Sequence, residues 1–176
     1  MGDVTVRTAT ADDALAIARV HVDTWRETYT GKLADDVIEG RPIPERAAAL
    51  ARLLAGESTL GPQTLWVAER EGAIVGFAWA GACRDADRED TTELYSINVL
   101  RAHHGSGAGQ LLLDAALGGG PASLWVLEDN PRARAFYERN GFAPDGTSKD
   151  DERLGGAHEI RMVRGDRRDV NRRGSP

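Results

Sequence analysis

Apolar and polar residues alternate over residues 3 to 8 (DVTVRT), the period of a half-buried strand. The period then lengthens. Leu15, Ile17, Ala18, Val22, Trp25 and Tyr29 fall on one face of a helix that continues to about Gly31. Thr10 is placed to cap it, and Asp12 and Asp13 lie against the positive end of its dipole. A second helical region, LADDVIEG then PIPERAAALARLLAG, is punctuated by Pro42 and Pro44 and closed by Gly56. Its alanine-rich face either packs in the core or walls a pocket with Trp25 and Tyr29. QTLWVAER and IVGFAWAGA read as a hairpin turning at Glu71 and Gly72, followed by a charged loop, RDADREDT.

The next unit is a buried strand over 93 to 99, a glycine-rich turn (RAHHGSGAGQ) and a largely buried helix over 107 to 117. GGGP stops that helix, and SLWVL forms a short strand at 123 to 127. In NPRARAFYERNGF, Asn130 caps a helix, Pro131 takes its first position, and Asn140 and Gly141 end it. Residues 143 to 157 read as a loop rich in Gly and Asp, HEIRMVR as a last strand, and 165 to 176 as a disordered tail. The strand–turn–helix–strand crossover makes the strands at 93 to 99 and 123 to 127 parallel within a mixed sheet. The expected architecture is an α/β layer fold in a single domain, residues 1 to 164, with ligands outside the carboxyl ends of those strands.

Composition narrows the classes of function. Of 176 residues, 41% are hydrophobic and 28% charged, a globular mix rather than a disordered one. The net charge of −6, with two lysines in the whole chain, argues against a nucleic-acid partner. A single cysteine, Cys83, excludes an internal disulfide, and its context FAWAGAC reads as a core thiol rather than a nucleophile. With no apolar run of signal-peptide or membrane-spanning character, a cytoplasmic location without a membrane partner is the expectation.

The chemistry concentrates in the glycine-rich turn. Backbone N–H groups at a helix N-terminus collect an anionic phosphate, and Gly105, Gly107 and Gly109 leave no Cβ where a ligand approaches. A nucleoside-triphosphate loop needs Lys and Ser or Thr after its final glycine, whereas Gln110 and Leu111 stand there. A dinucleotide fingerprint is matched in part by Gly105, Gly107 and Glu128, but its third small position is Gln110.

The segment INVLRAHHGSGAGQLLL, residues 97 to 113, resembles the acyl-CoA-binding motif of the GNAT superfamily of N-acetyltransferases, Gln/Arg-x-x-Gly-x-Gly/Ala. His104, Gly105, Ser106, Gly107, Ala108 and Gly109 occupy it, with His104 where Arg or Gln is usual. LWVLEDNPRARAFYERNGF resembles the family's second element, and the resemblance extends over residues 3 to about 164. It implies a mixed sheet whose central parallel strands splay apart, with helices on both faces. Acetyl-CoA would be the acyl donor, with no metal. The pantetheine arm would pair with Ile97, Asn98 and Val99, and the pyrophosphate would rest on residues 105 to 110, Gln110 included. The Val99 amide would donate to the thioester oxygen.

By the same resemblance, Asn130 would contact the cofactor arm, Tyr137 would protonate the departing thiolate, and Glu93 would act as general base. The expected activity is acetyl transfer to a primary amine of a small molecule, or of a protein or peptide, in a ternary complex. A homodimer is a family expectation. A non-catalytic acyl-CoA-binding module and a dinucleotide-binding domain stand as alternatives. Trp25, Tyr29 and Trp79, with Asp35, Asp36 and Glu93, are the candidates for an aromatic, acidic pocket for a cationic amine.

Overall fold

A computed structural model describes residues 2–40, 42–57 and 61–165. The expected tail lies, from residue 166 onward, outside the described residues. The first strand is β1 (Thr5–Thr8). After it, the backbone N–H of Thr10 donates to Asp13 Oδ2 at 2.7 Å, closing the entry to a short 3₁₀ turn and then α1 (Ala14–Tyr29). The second helical region splits at its prolines into α2 (Asp35–Glu39) and α3 (Ile43–Leu54). The hairpin is β2 (Gln63–Arg70) and β3 (Ala73–Ala82), turning through Glu71 and Gly72, both at positive φ. Then come β4 (Thr92–Val99), α4 (Ala108–Leu117), β5 (Ala122–Leu127) and α5 (Pro131–Arg139). The described chain closes with β6 (Ala143–Asp151) and β7 (Ala157–Arg164).

These strands form one mixed sheet in the order β1-β2-β3-β4-β5-β7-β6, in which β4 and β5 are the parallel pair. α1 and α3 cover one face, where Ile17 and Val20 pack with Leu65, Val67 and Phe77. On the other face Leu112, Leu113 and Tyr137, from α4 and α5, pack with Ala78, Leu94, Leu124 and Met162. Both faces of the inner strands are therefore buried, which suits their unbroken apolar runs.

The parallel pair is short. β4 and β5 pair only from Thr92–Leu94 to Ala122–Leu124. Immediately beyond, β4 carries a bulge: Trp79 faces Ser96 and Ala80 faces Leu94, so Tyr95 is the extra residue. The bulge bends β4 away from β5, and the two strands splay toward their carboxyl ends.

One expectation needs correction. The stretch read as a loop from 143 to 157 holds the edge strand β6, paired with β7 through Ala143 and Pro144 and again from Ser148 to Asp151. Its residues are exposed almost throughout, so no alternating apolar pattern marks it; backbone pairing holds it on the sheet.

Candidate functional site

The splay opens a cleft of about 530 Å³. Residues 94–99 of β4 form one wall, Trp125, Val126 and Leu127 of β5 the other, with Trp25 and Tyr29 of α1 and Tyr137 of α5 also lining it. The direction of β4's backbone groups follows from its pairing. Leu100 N–H donates to Val75 O on β3, so alternation turns the N–H and C=O of Val99 the other way, into the cleft.

At one end of the cleft lies the glycine turn. Gly105 and Gly107 have φ of +79° and +88°, a conformation that L side chains rarely adopt, and Gly107 is the N-cap of α4. A Cβ at either position would meet no protein atom within 4 Å, so the requirement there is for backbone shape and for open space in front of it. The first-turn N–H groups of Gly109 and Gln110 have no partner within the helix and sit at the positive end of its dipole. Ser106 Oγ steadies the turn by donating to His103 O at 2.7 Å. His104 places Nε2 2.8 Å from Val99 O, an oxygen that only accepts, so Nε2 carries the proton. Burial lowers the His104 pKa, which agrees with a neutral ring. The residue that departs from the motif thus ties the turn to the end of β4.

Tyr137 is 8% exposed, and burial pushes its phenol well above the usual value, so it keeps its proton. The ring is fixed edge-on against Phe136 at 5.5 Å and Phe142 at 5.9 Å. Tyr29, also raised by burial, lies close enough to influence it. Asn130 Oδ1 accepts from Ala133 N–H at 3.2 Å as the cap of α5, and its side chain also hydrogen-bonds the Tyr29 phenol in the cleft lining. Trp25 stacks on His21 at 5.2 Å and meets Tyr29 edge-on at 5.2 Å.

Several candidates are not brought to the cleft. Glu93 is 1% exposed and turned toward Arg84, whose Nη2 lies 2.5 Å from Oε1 and whose backbone N–H lies 2.9 Å from Oε2. Held in that ion pair, its carboxylate does not line the cleft. Trp79 belongs to the core on the α1 and α3 face, with Nε1 donating to Gln63 Oε1 at 2.7 Å. Asp35 and Asp36 are exposed in the first turn of α2. The Gln110 side chain spans to Asn140 Oδ1 at 2.8 Å, so only its backbone faces the cradle.

The cleft also recruits residues that the sequence reading passed over: Arg132 and Arg139 near the glycine turn, and Trp125, Leu154 and Glu159 at the opposite end. Arg132, Phe136 and Arg139 lie at helical spacing on one face of α5, a signal available in the sequence. Glu159 had no such signal.

Comparisons with known proteins agree with this geometry. A profile of the Acetyltransferase (GNAT) family matches residues 19–142. The chain is 33% identical over 161 residues to the uncharacterized N-acetyltransferase YuaI of Bacillus subtilis, covering 87% of each protein. A shorter region of 101 residues is 34% identical to mycothiol acetyltransferase of Beutenbergia cavernae, covering 53% of this chain and 33% of that one. Among solved structures, the PaiA N-acetyltransferase of Thermoplasma acidophilum, determined in complex with coenzyme A, superposes with a TM-score of 0.70. It is 20% identical, and the match covers 93% of this chain and 99% of that one. The chain belongs to the GNAT family and is an acetyltransferase.

Proposed function

We propose that this enzyme transfers an acetyl group from acetyl-CoA to a primary amine of a small molecule by direct attack in a ternary complex. The observation that carries the reading is the meeting, in one cleft, of a left-handed glycine turn at a helix N-terminus with a buried, protonated tyrosine. The pyrophosphate rests on the N–H groups of residues 105 to 110, with Arg132 and Arg139 adding positive charge nearby. The pantetheine arm lies along Ile97, Asn98 and Val99, where β4 has left β5. The Val99 N–H, which faces the cleft, polarises the thioester carbonyl and stabilises the oxyanion formed on attack. The amine attacks in its neutral form and sheds one proton to solvent as the amide forms, while Tyr137 donates its phenolic proton to the departing thiolate and recovers one from solvent. Holding both reactants together supplies much of the acceleration, on the order of 7–11 kcal/mol at best.

The coenzyme A complex of the PaiA neighbour supports the choice of cofactor. Calorimetric titration with acetyl-CoA and with NAD, followed by thiol detection of CoA release over a panel of amines, tests the reading. Tight binding of acetyl-CoA with amine-dependent CoA release is expected. A preference for NAD, or no binding of acetyl-CoA, would overturn it.

A further inference from the structure

The cleft is polarised. His103, His104, Arg132 and Arg139 cluster with the glycine turn, whereas Glu159 is the one carboxylate among the described residues lining it. Glu159 sits on β7 opposite Leu127, the last residue of β5, and is 9% exposed. Burial raises its pKa above the usual carboxyl range, with Lys149 acting in the opposite direction. Asp151, Arg153 and Tyr29 complete the charged and titratable groups near it.

What neutralises Glu159 is itself a primary amine. Lys149 Nζ lies 3.6 Å from Glu159 Oε2 and 3.9 Å from the centroid of the Trp125 ring. Trp125 and Glu159 both line the cleft, whereas Lys149 reaches them from the edge strand β6 and does not line it. A carboxylate and an indole face are the two groups that hold an organic ammonium, one by charge and one through the ring quadrupole. Trp25, Tyr29, Leu33 and Leu154, further residues of the cleft lining, supply apolar and aromatic surface for whatever the ammonium is attached to.

We propose that Glu159 and Trp125 form the ammonium subsite for the acceptor, that Lys149 fills it as a placeholder, and that a small primary ammonium with a flat or apolar flank displaces that lysine. This rests on the acetyltransferase reading above and names its substrate class. Exchanging one ammonium for another keeps Glu159 paired throughout, so the carboxylate is never left buried and unpaired, the arrangement that costs most. One carboxylate selects one positive charge; a dication would leave its second ammonium without a partner in the lining.

The test is calorimetric titration of benzylammonium chloride, with benzyl alcohol as the neutral control, into the full chain saturated with CoA. Relative to wild type, Glu159→Gln is expected to weaken benzylammonium about tenfold or more, and Lys149→Met to tighten it several-fold. Benzyl alcohol should show neither change. Equal benzylammonium affinity in the three proteins, or no affinity in any of them, would overturn the proposal. Unchanged CoA affinity shows that each variant is folded, and should Glu159→Gln lose it, Lys149→Met carries the test alone. Failure of the wild type to bind CoA would instead refute the acetyltransferase reading, so the two are separable.

Discussion

Glu93 and Glu159 carry the same functional group on the same sheet, yet only Glu159 meets the cleft. The difference is direction. Glu93 points to Arg84 at the end of β4 where the parallel strands are still paired, while Glu159 lies beside the last residue of β5, where they have parted. Glu93→Gln is therefore expected to lower stability, by roughly 1–3 kcal/mol for a buried group deprived of its charged hydrogen bonds, and to leave the shape of the pH–rate profile unchanged. Thermal melts and a pH series of CoA release check both halves. For Tyr137→Phe the expected loss is in turnover, on the order of 10²-fold, with acetyl-CoA affinity retained; unaltered turnover would remove Tyr137 from the acid role.

His21 gives a further handle at this scale. Burial between α1 and β3, with Arg46 adding to the effect, lowers its pKa from 6.5 to about 3. Between those values the unfolded chain binds a proton that the native chain refuses. The stabilising contribution is thus complete above pH 6.5 and is lost as the pH falls below it, at up to about 1.4 kcal/mol per unit. His104 acts with the same sign, and so does Asp13, held at about 2 by its hydrogen bonds to Arg7, whose contribution is complete above its ordinary 3.8 and is lost only as the pH falls below it. Melting temperature should fall less between pH 7 and 5 in His21→Leu than in wild type; parallel curves would contradict this account.

At the scale of elements, α5 performs two tasks with one residue. Asn130 Oδ1 caps the helix, and its Nδ2, the donor toward Tyr29, is the group that would turn to the cofactor. Asn130→Asp keeps a good cap and removes the amide donor, so the melting temperature should hold while acetyl-CoA affinity drops. Asn130→Ala should lose both, with about 1 kcal/mol of stability going with the cap. Gly107→Ala forces a side chain into a left-handed position at the start of α4, at a cost of about 1–2 kcal/mol, and sets a methyl in the space before the cradle. Its acetyl-CoA titration should show a larger loss than its melt. Most elements were legible in the chain because each has a pattern: apolar runs bounded by turn residues for β2 and β3, a helical period for α1. The strand β6 was not, since APDGTSKDD buries too little to leave a pattern. The role of His104 was likewise hidden, because the contact that explains it is with a backbone oxygen, and side-chain identity does not reveal which carbonyls face a loop.

At the scale of the whole molecule, the parallel crossover and its glycine turn were readable because local chain order dictates them, and the cofactor end of the cleft followed. The acceptor end was not. It is assembled by α1, β5, β7 and the segment around Leu154, which meet only once the sheet has formed, and Trp125 and Glu159 each look like ordinary strand residues in isolation. No helix among the described residues is long and apolar enough to cross a membrane.

The brevity of the β4 and β5 ladder has a dynamic consequence. Three residue pairs join one half-sheet, β1 to β4, to the other, β5, β7 and β6, so the molecule has a seam along which it can breathe. A cofactor lying along β4 would bridge that seam as a temporary rung. In hydrogen-exchange measurements the cleft-facing amide of Val99 should exchange readily in the free enzyme and slow sharply with acetyl-CoA, while amides paired between β2 and β3, such as that of Trp66, change little.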